Sequence, residues 1–91
     1  SANLAIQQII VFALIKLMAT LLWILFFLII VSVILSWVGA RARHPAIPLV
    51  YQVTEPVLAP FRKVIPPIAG LDLSPLFALI AIRFLLLLLG W

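Results

Sequence analysis

Few side chains in this sequence are able to do chemistry. Its 91 residues include two carboxylates, Glu55 and Asp72, a single histidine, His44, and no cysteine. Disulfides, thiol nucleophiles and thiolate metal sites are therefore excluded. His44 stands beside Arg41, Arg43 and Pro45 with no second imidazole to help it hold a metal ion, and it reads as a headgroup-level residue. Acid–base work by a carboxylate pair requires Glu55 and Asp72 to meet across a loop. Each has a plainer role: Glu55 can pair with Arg62 or Lys63, and Asp72 can serve the positive end of the helix that comes after it. There is no phosphate-cradling glycine loop and no nucleophile motif. The expectation is a non-enzymatic chain without cofactor or metal.

The cations carry more information. Net charge is +4, and four of the six basic residues, Arg41, Arg43, Arg62 and Lys63, fall between two apolar runs. A nucleic-acid footprint needs a basic patch on a solvated surface. Here 68% of residues are hydrophobic and 9% charged, against about 25% charged in soluble domains. Direct nucleic-acid binding is not expected. Membrane lipids are, with the four cations as headgroup or partner contacts. The simpler reading, that they only orient the chain in a bilayer, is compatible with this.

The elements that position these groups are set by the apolar runs. The first has no proline, and its first glycine is Gly39. It is too long for one perpendicular crossing of a hydrocarbon core of about 30 Å. Lys16 divides it: residues 17–40 read as a transmembrane helix with Trp23 and Trp37 near its ends, and residues 1–16 as an apolar extension of that helix or an interfacial segment. Gly39, the cations after it and Pro45 signal its stop. All seven prolines lie between Pro45 and Pro75. Residues 41–74 read as a basic, proline-rich interfacial segment with one or two short amphipathic helices, the first opening at Pro48 and ended or kinked at Glu55-Pro56. Ser74 as N-cap and Pro75 at the first helical position then open a second transmembrane helix over residues 75–91. The fold class is an all-α membrane protein with two transmembrane helices. By the positive-inside rule its connecting segment faces the cytoplasm.

Two features concern the spans themselves. Ser32, Ser36 and Ala40 recur at intervals of four, and Ala78 and Ala81 offer small residues on the second helix. Such residues let helix backbones approach in lipid, which suits contact between the spans or between copies. Arg83 lies mid-way along the second helix, where an arginine costs from about 2.5 kcal/mol upward. Either it meets an acidic group of a partner or the wall of a wet cavity, or the helix sits off-centre and the guanidinium reaches headgroups.

One string is more specific than composition. Residues 49–56 read Leu-Val-Tyr-Gln-Val-Thr-Glu-Pro, residues 58–67 Leu-Ala-Pro-Phe-Arg-Lys-Val-Ile-Pro-Pro, and residues 70–75 Gly-Leu-Asp-Leu-Ser-Pro. This resembles the YggT family of small bacterial membrane proteins, called YlmG in plastids and cyanobacteria, from about residue 33 to residue 82. The resemblance implies a two-helix unit of which family members commonly carry two copies, this chain being similar to the C-terminal one. That, together with a start at Ser1 rather than Met, leads us to expect a piece of a longer protein. It implies no catalytic residues, and Arg83 is outside the motif. Family roles it brings are osmotic and ion tolerance, nucleoid distribution and cytochrome assembly. The leading expectation is a membrane module that forms a homo-oligomer or joins a larger membrane protein complex as an accessory or assembly subunit. The alternative is a component or modulator of ion or osmolyte transport, which two spans could support only by oligomerising.

Overall fold

The structure is a computed structural model of the 91-residue chain, and it describes residues 2–38, 44–70 and 72–91. These form three α-helices: α1 (Ala2–Val38), α2 (Ala46–Val64) and α3 (Ser74–Leu89). Ala40, Arg41 and Arg43, to which packing and headgroup roles are assigned above, lie outside the described residues.

Helix α1 has neither proline nor glycine to interrupt it and runs 37 residues straight through Lys16, about 55 Å at 1.5 Å per residue. Among the described residues it is the one helix long and apolar enough to cross a membrane. It is apolar on all sides rather than amphipathic, and little of it is covered by the other two helices. Its residues 2–14 are exposed throughout, because α3 ends against Phe12 and covers only the later turns of α1.

Helix α2 departs from the expectation. The segment read as a proline-rich loop with short helices is, over Ala46–Val64, one continuous 19-residue helix that holds Pro56 and Pro60 in its interior. Pro48 lies in the first turn, where its missing N–H has no intrahelical partner to lose. His44 supports this start: its Nδ1 accepts the Ala46 N–H at 3.0 Å and its carbonyl accepts the Ile47 N–H at 3.1 Å. Pro56 and Pro60 each remove one helix bond. Both are exposed and one turn apart, so the carbonyls they leave unpaired fall on an outer face. The inner face holds the helix together. Ile47, Val50, Thr54, Val57, Leu58 and Phe61 recur at helical spacing and are buried or half-buried.

The chain turns between α2 and α3 through two successive left-handed residues, Ala69 (φ 54°) and Gly70 (φ 78°). Ser74 is already helical and its side chain makes no N-terminal cap. The capping acceptor is Asp72, whose Oδ1 receives the Ser74 N–H at 2.9 Å and the Ser74 hydroxyl at 2.6 Å. Gly90, at φ 84°, stops α3. The Gly90 N–H donates to Leu87 O and the Trp91 N–H to Leu86 O, a Schellman ending. Helix α3 is thus 16 residues, about 24 Å, shorter than the hydrocarbon core.

All three helices pack against one another. The centre is Ala19 and Ile29 of α1, Leu58 of α2, and Ala78, Ile82 and Leu86 of α3. On α3 the buried positions, Ser74, Ala78, Ile82 and Leu86, are every fourth residue, one face of a helix. Ser32 is also buried and returns its hydroxyl to Ile29 O at 2.7 Å, so this polar group enters the core satisfied.

Candidate functional site

The polar groups gather at the end of the molecule where α2 meets the start of α3. Arg62, in the last turn of α2, is their hub. Its Nη1 pairs with Glu55 Oε1, two turns back on the same face of α2, and its Nε donates to Asp72 Oδ2 at 3.1 Å. The two carboxylates do come together across the connection, with a guanidinium between them. The fork of a guanidinium suits this double contact in a way an ammonium does not.

Electrostatics track the geometry. The two hydrogen bonds from Ser74, with Arg62 adding to them, hold the Asp72 carboxyl below its ordinary value. The bond to Glu55, reinforced by Asp72, pushes the Arg62 guanidinium up. Both carboxylates face the Arg62 guanidinium, and the lowered Asp72 carboxyl is not a proton donor near neutral pH. What the cluster can do is tie the C-terminal turn of α2 to the first turn of α3. Because the Asp72 pKa is lower folded than unfolded, its contribution is complete above about pH 4 and is lost as pH falls through the folded value. We expect the protection of the Ser74 amide against hydrogen exchange, taken relative to its intrinsic rate at each pH, to fall on acidification, and Asp72→Asn to remove that step. Protection without such a step would contradict the capping role.

Next to this cluster a cleft of about 480 Å³ opens between all three helices, lined among others by Ser32, Ser36, Tyr51, Arg62 and Asp72. The Tyr51 and Ser36 hydroxyls lie 3.3 Å apart at its edge, and Ser36 Oγ reaches Ser32 O at 3.0 Å. Of the small residues singled out for helix packing, Ser32 and Ala78 are buried, Ser36 takes this edge position, and Ala81 is half-buried beside a groove between α2 and α3. Sequence reasoning misses Ala19 and Thr54, both buried, and reads Ser74 as an N-cap where the structure buries it in the first turn of α3. The every-fourth-residue pattern on α3 is the available signal for Ser74.

The other two cations, Lys16 and Arg83, stand on the exposed, otherwise apolar surfaces of α1 and α3, and each faces an indole. The Arg83 guanidinium carbon is 5.5 Å from the Trp23 ring centroid, and Lys16 Nζ is 5.9 Å from that of Trp91. Trp91 also meets Phe12 at 5.9 Å, and Trp23 meets Phe26 edge-on at 5.5 Å. Each of α1 and the α3 end contributes one cation and one tryptophan. The cation–ring distances are within the roughly 6 Å at which such pairs attract. Trp37, by contrast, is 79% exposed.

Among the described residues no three His, Cys, Asp or Glu side chains come close enough to hold a metal ion together.

With this geometry in hand, the comparison with known proteins is decisive for kinship. A family model described as CCB3/YggT matches residues 11–91. The chain belongs to the CCB3/YggT family. It is 44% identical over 80 residues to an uncharacterized protein of Pseudomonas aeruginosa, covering 88% of this chain and 41% of that one. It is 43% identical to a Vibrio alginolyticus protein encoded 3′ of proC, over 74% of this chain and 36% of the relative. A third relative, at 41% identity over 54% of this chain and 29% of its own length, is CCB3 of Arabidopsis thaliana, a chloroplast protein whose name describes cofactor assembly of complex C. The chain spans less than half the length of these relatives. No solved structure matches it.

Proposed function

We propose that this chain is a non-enzymatic integral membrane module of a bacterial inner membrane, serving a larger membrane protein complex as an accessory or assembly subunit. The observation that carries the reading is how the charges are disposed. The apolar side chains of α1 and α3 are exposed along most of both helices, a surface no water-soluble monomer presents on this scale. The two cations on that surface each face an indole, and the acidic groups are confined to one end. In this reading α1 and α3 are the two transmembrane helices. Helix α2 lies along the interface with its polar side to the headgroups, and that end faces the cytoplasm by the positive-inside rule.

The assembly role draws on the Arabidopsis relative's name, a cofactor assembly protein. The packing adds a physical reason. The first turns of α1, exposed up to the point where Trp91 meets Phe12, offer a side for another membrane helix. The transport alternative finds no support in the comparisons, and the groove between α1 and α3 is walled by Met18 and six leucines. The test is cross-linking in native membranes and then purification in mild detergent. We expect the chain to travel with defined membrane proteins or with copies of itself, and recovery of a monomer alone would overturn the proposal.

A further inference from the structure

The two members of the basic pair Arg62-Lys63 have different fates in the structure. Arg62 is already engaged by Glu55 and Asp72, whereas Lys63 makes no ion pair among the described residues. At 100° per residue Lys63 stands at the edge between the polar side of α2 and its outer apolar stripe, Leu49, Val53, Pro56, Pro60 and Val64. All five of those residues are exposed, Val64 to 80%. Pro60 and Val64, on either side of Lys63, also wall a groove of about 620 Å³ that continues over Phe61 and Ile65 onto Phe77, Ala81 and Phe84 of α3. That is within the roughly 300–1,000 Å³ typical of small-molecule sites. No ionisable side chain lines it.

An apolar groove with one uncommitted cation at its edge matches a molecule with an apolar tail and an anionic head. We propose that this groove seats one acyl chain of an anionic phospholipid, with the Lys63 ammonium on its phosphate. The assignment rests on the membrane reading above. It separates the basic pair, giving Arg62 to the fold and Lys63 to the lipid. The plainer role for Lys63, complementing the C-terminal end of the α2 dipole, does not require a groove beside it.

The experiment counts lipids retained on the purified full chain by native mass spectrometry, after equilibration in detergent micelles doped with equal phosphatidylglycerol and phosphatidylcholine. Wild type is expected to keep one phosphatidylglycerol in preference to phosphatidylcholine. Lys63→Gln should lower that preference about fivefold, the equivalent of about 1 kcal/mol for one cation at an anionic surface. Arg62→Gln should lower it less than Lys63→Gln does, since the Arg62 charge is already engaged by Glu55 and Asp72. Ala81→Leu, which fills the groove, should reduce retention of both lipids, and millimolar inorganic phosphate should not compete. Helix content by circular dichroism checks that each variant is folded. The proposal is overturned by an unchanged preference in Lys63→Gln, by equal losses in the two basic variants, or by a second copy of the chain that Ala81→Leu displaces in place of lipid. Failure of the membrane reading has its own signature: the wild-type chain would be released from membranes by alkaline carbonate.

Discussion

Trp23→Leu should destabilise the packing of α1 against α3 far more than Arg83→Leu does. Arg83 and Trp23 form a cation–ring pair at 5.5 Å in an otherwise apolar body. In water such a pair contributes about 0.5–1 kcal/mol, and about 2 kcal/mol or more when desolvated. The two substitutions do not remove the same thing. On the membrane reading proposed above, loss of Trp23 leaves the guanidinium in the hydrocarbon without its ring, where an arginine costs from about 2.5 kcal/mol upward. Without Arg83 both the pair and the cost disappear together, as when a buried ion is exchanged for a well-packed apolar residue. We therefore expect Trp23→Leu to lower the unfolding free energy in bilayers by about 2 kcal/mol or more. Arg83→Leu should leave it unchanged or raise it, and the double variant should recover most of the Trp23→Leu loss. Equal losses in the two single variants would refute the pairing.

The same variant tests the partner role expected for Arg83. If the guanidinium also serves a neighbouring subunit, Arg83→Leu yields a stable chain that no longer copurifies with its complex. If the indole is its whole purpose, complex yield tracks stability. Lys16 and Trp91 form a second pair of the same kind seven to eight residues away along both helices, at 5.9 Å. Both pairs fit one antiparallel register, so the cations also specify how α1 and α3 align.

That register is written in the sequence, but not in terms of opposite charge. Matching Arg83 against acidic groups finds only Glu55 and Asp72, both at the other end of α3. An indole attracts a cation without carrying charge, so a search by charge alone passes over Trp23. Helix α1 is legible because nothing in residues 2–38 interrupts a helix. Helix α2 is not, because Pro56 and Pro60 read as breakers. The cost of an interior proline is local, about 3 kcal/mol, whereas the benefit comes from burying Val50, Thr54, Leu58 and Phe61 against two other helices. The periodic stripe is visible in the sequence, but the surface it meets is not. At the polar cluster the residue types are legible, since Glu55–Arg62 is one of the expected pairings. The third partner, Asp72, is brought in only by the left-handed turn at Ala69 and Gly70.

Ala78→Leu should separate α1 from α3, while Ala81→Leu, three residues along the same helix, should not. Ala78 has no exposed surface and shares its cluster with Ala19, Ile29, Ile82 and Leu86. Helix pairs in lipid gain little from removing apolar surface from water, and their stability depends on close contact between backbones. Three added carbons at Ala78 have no space at interior packing density, and such overpacking costs about 1–3 kcal/mol, sometimes more. Ala81 instead borders the groove between α2 and α3, which has room for a larger side chain. Its enlargement should change stability by no more than about 0.5 kcal/mol. Should Ala78→Leu fail to fold, a graded series through Ala78→Ser and Ala78→Val retains the test, because the loss must rise with side-chain volume. Thermal unfolding in a single detergent compares all four variants. A flat series at Ala78, or an equal loss at Ala81, would mean that the two helices are held by something other than the close approach these small residues allow.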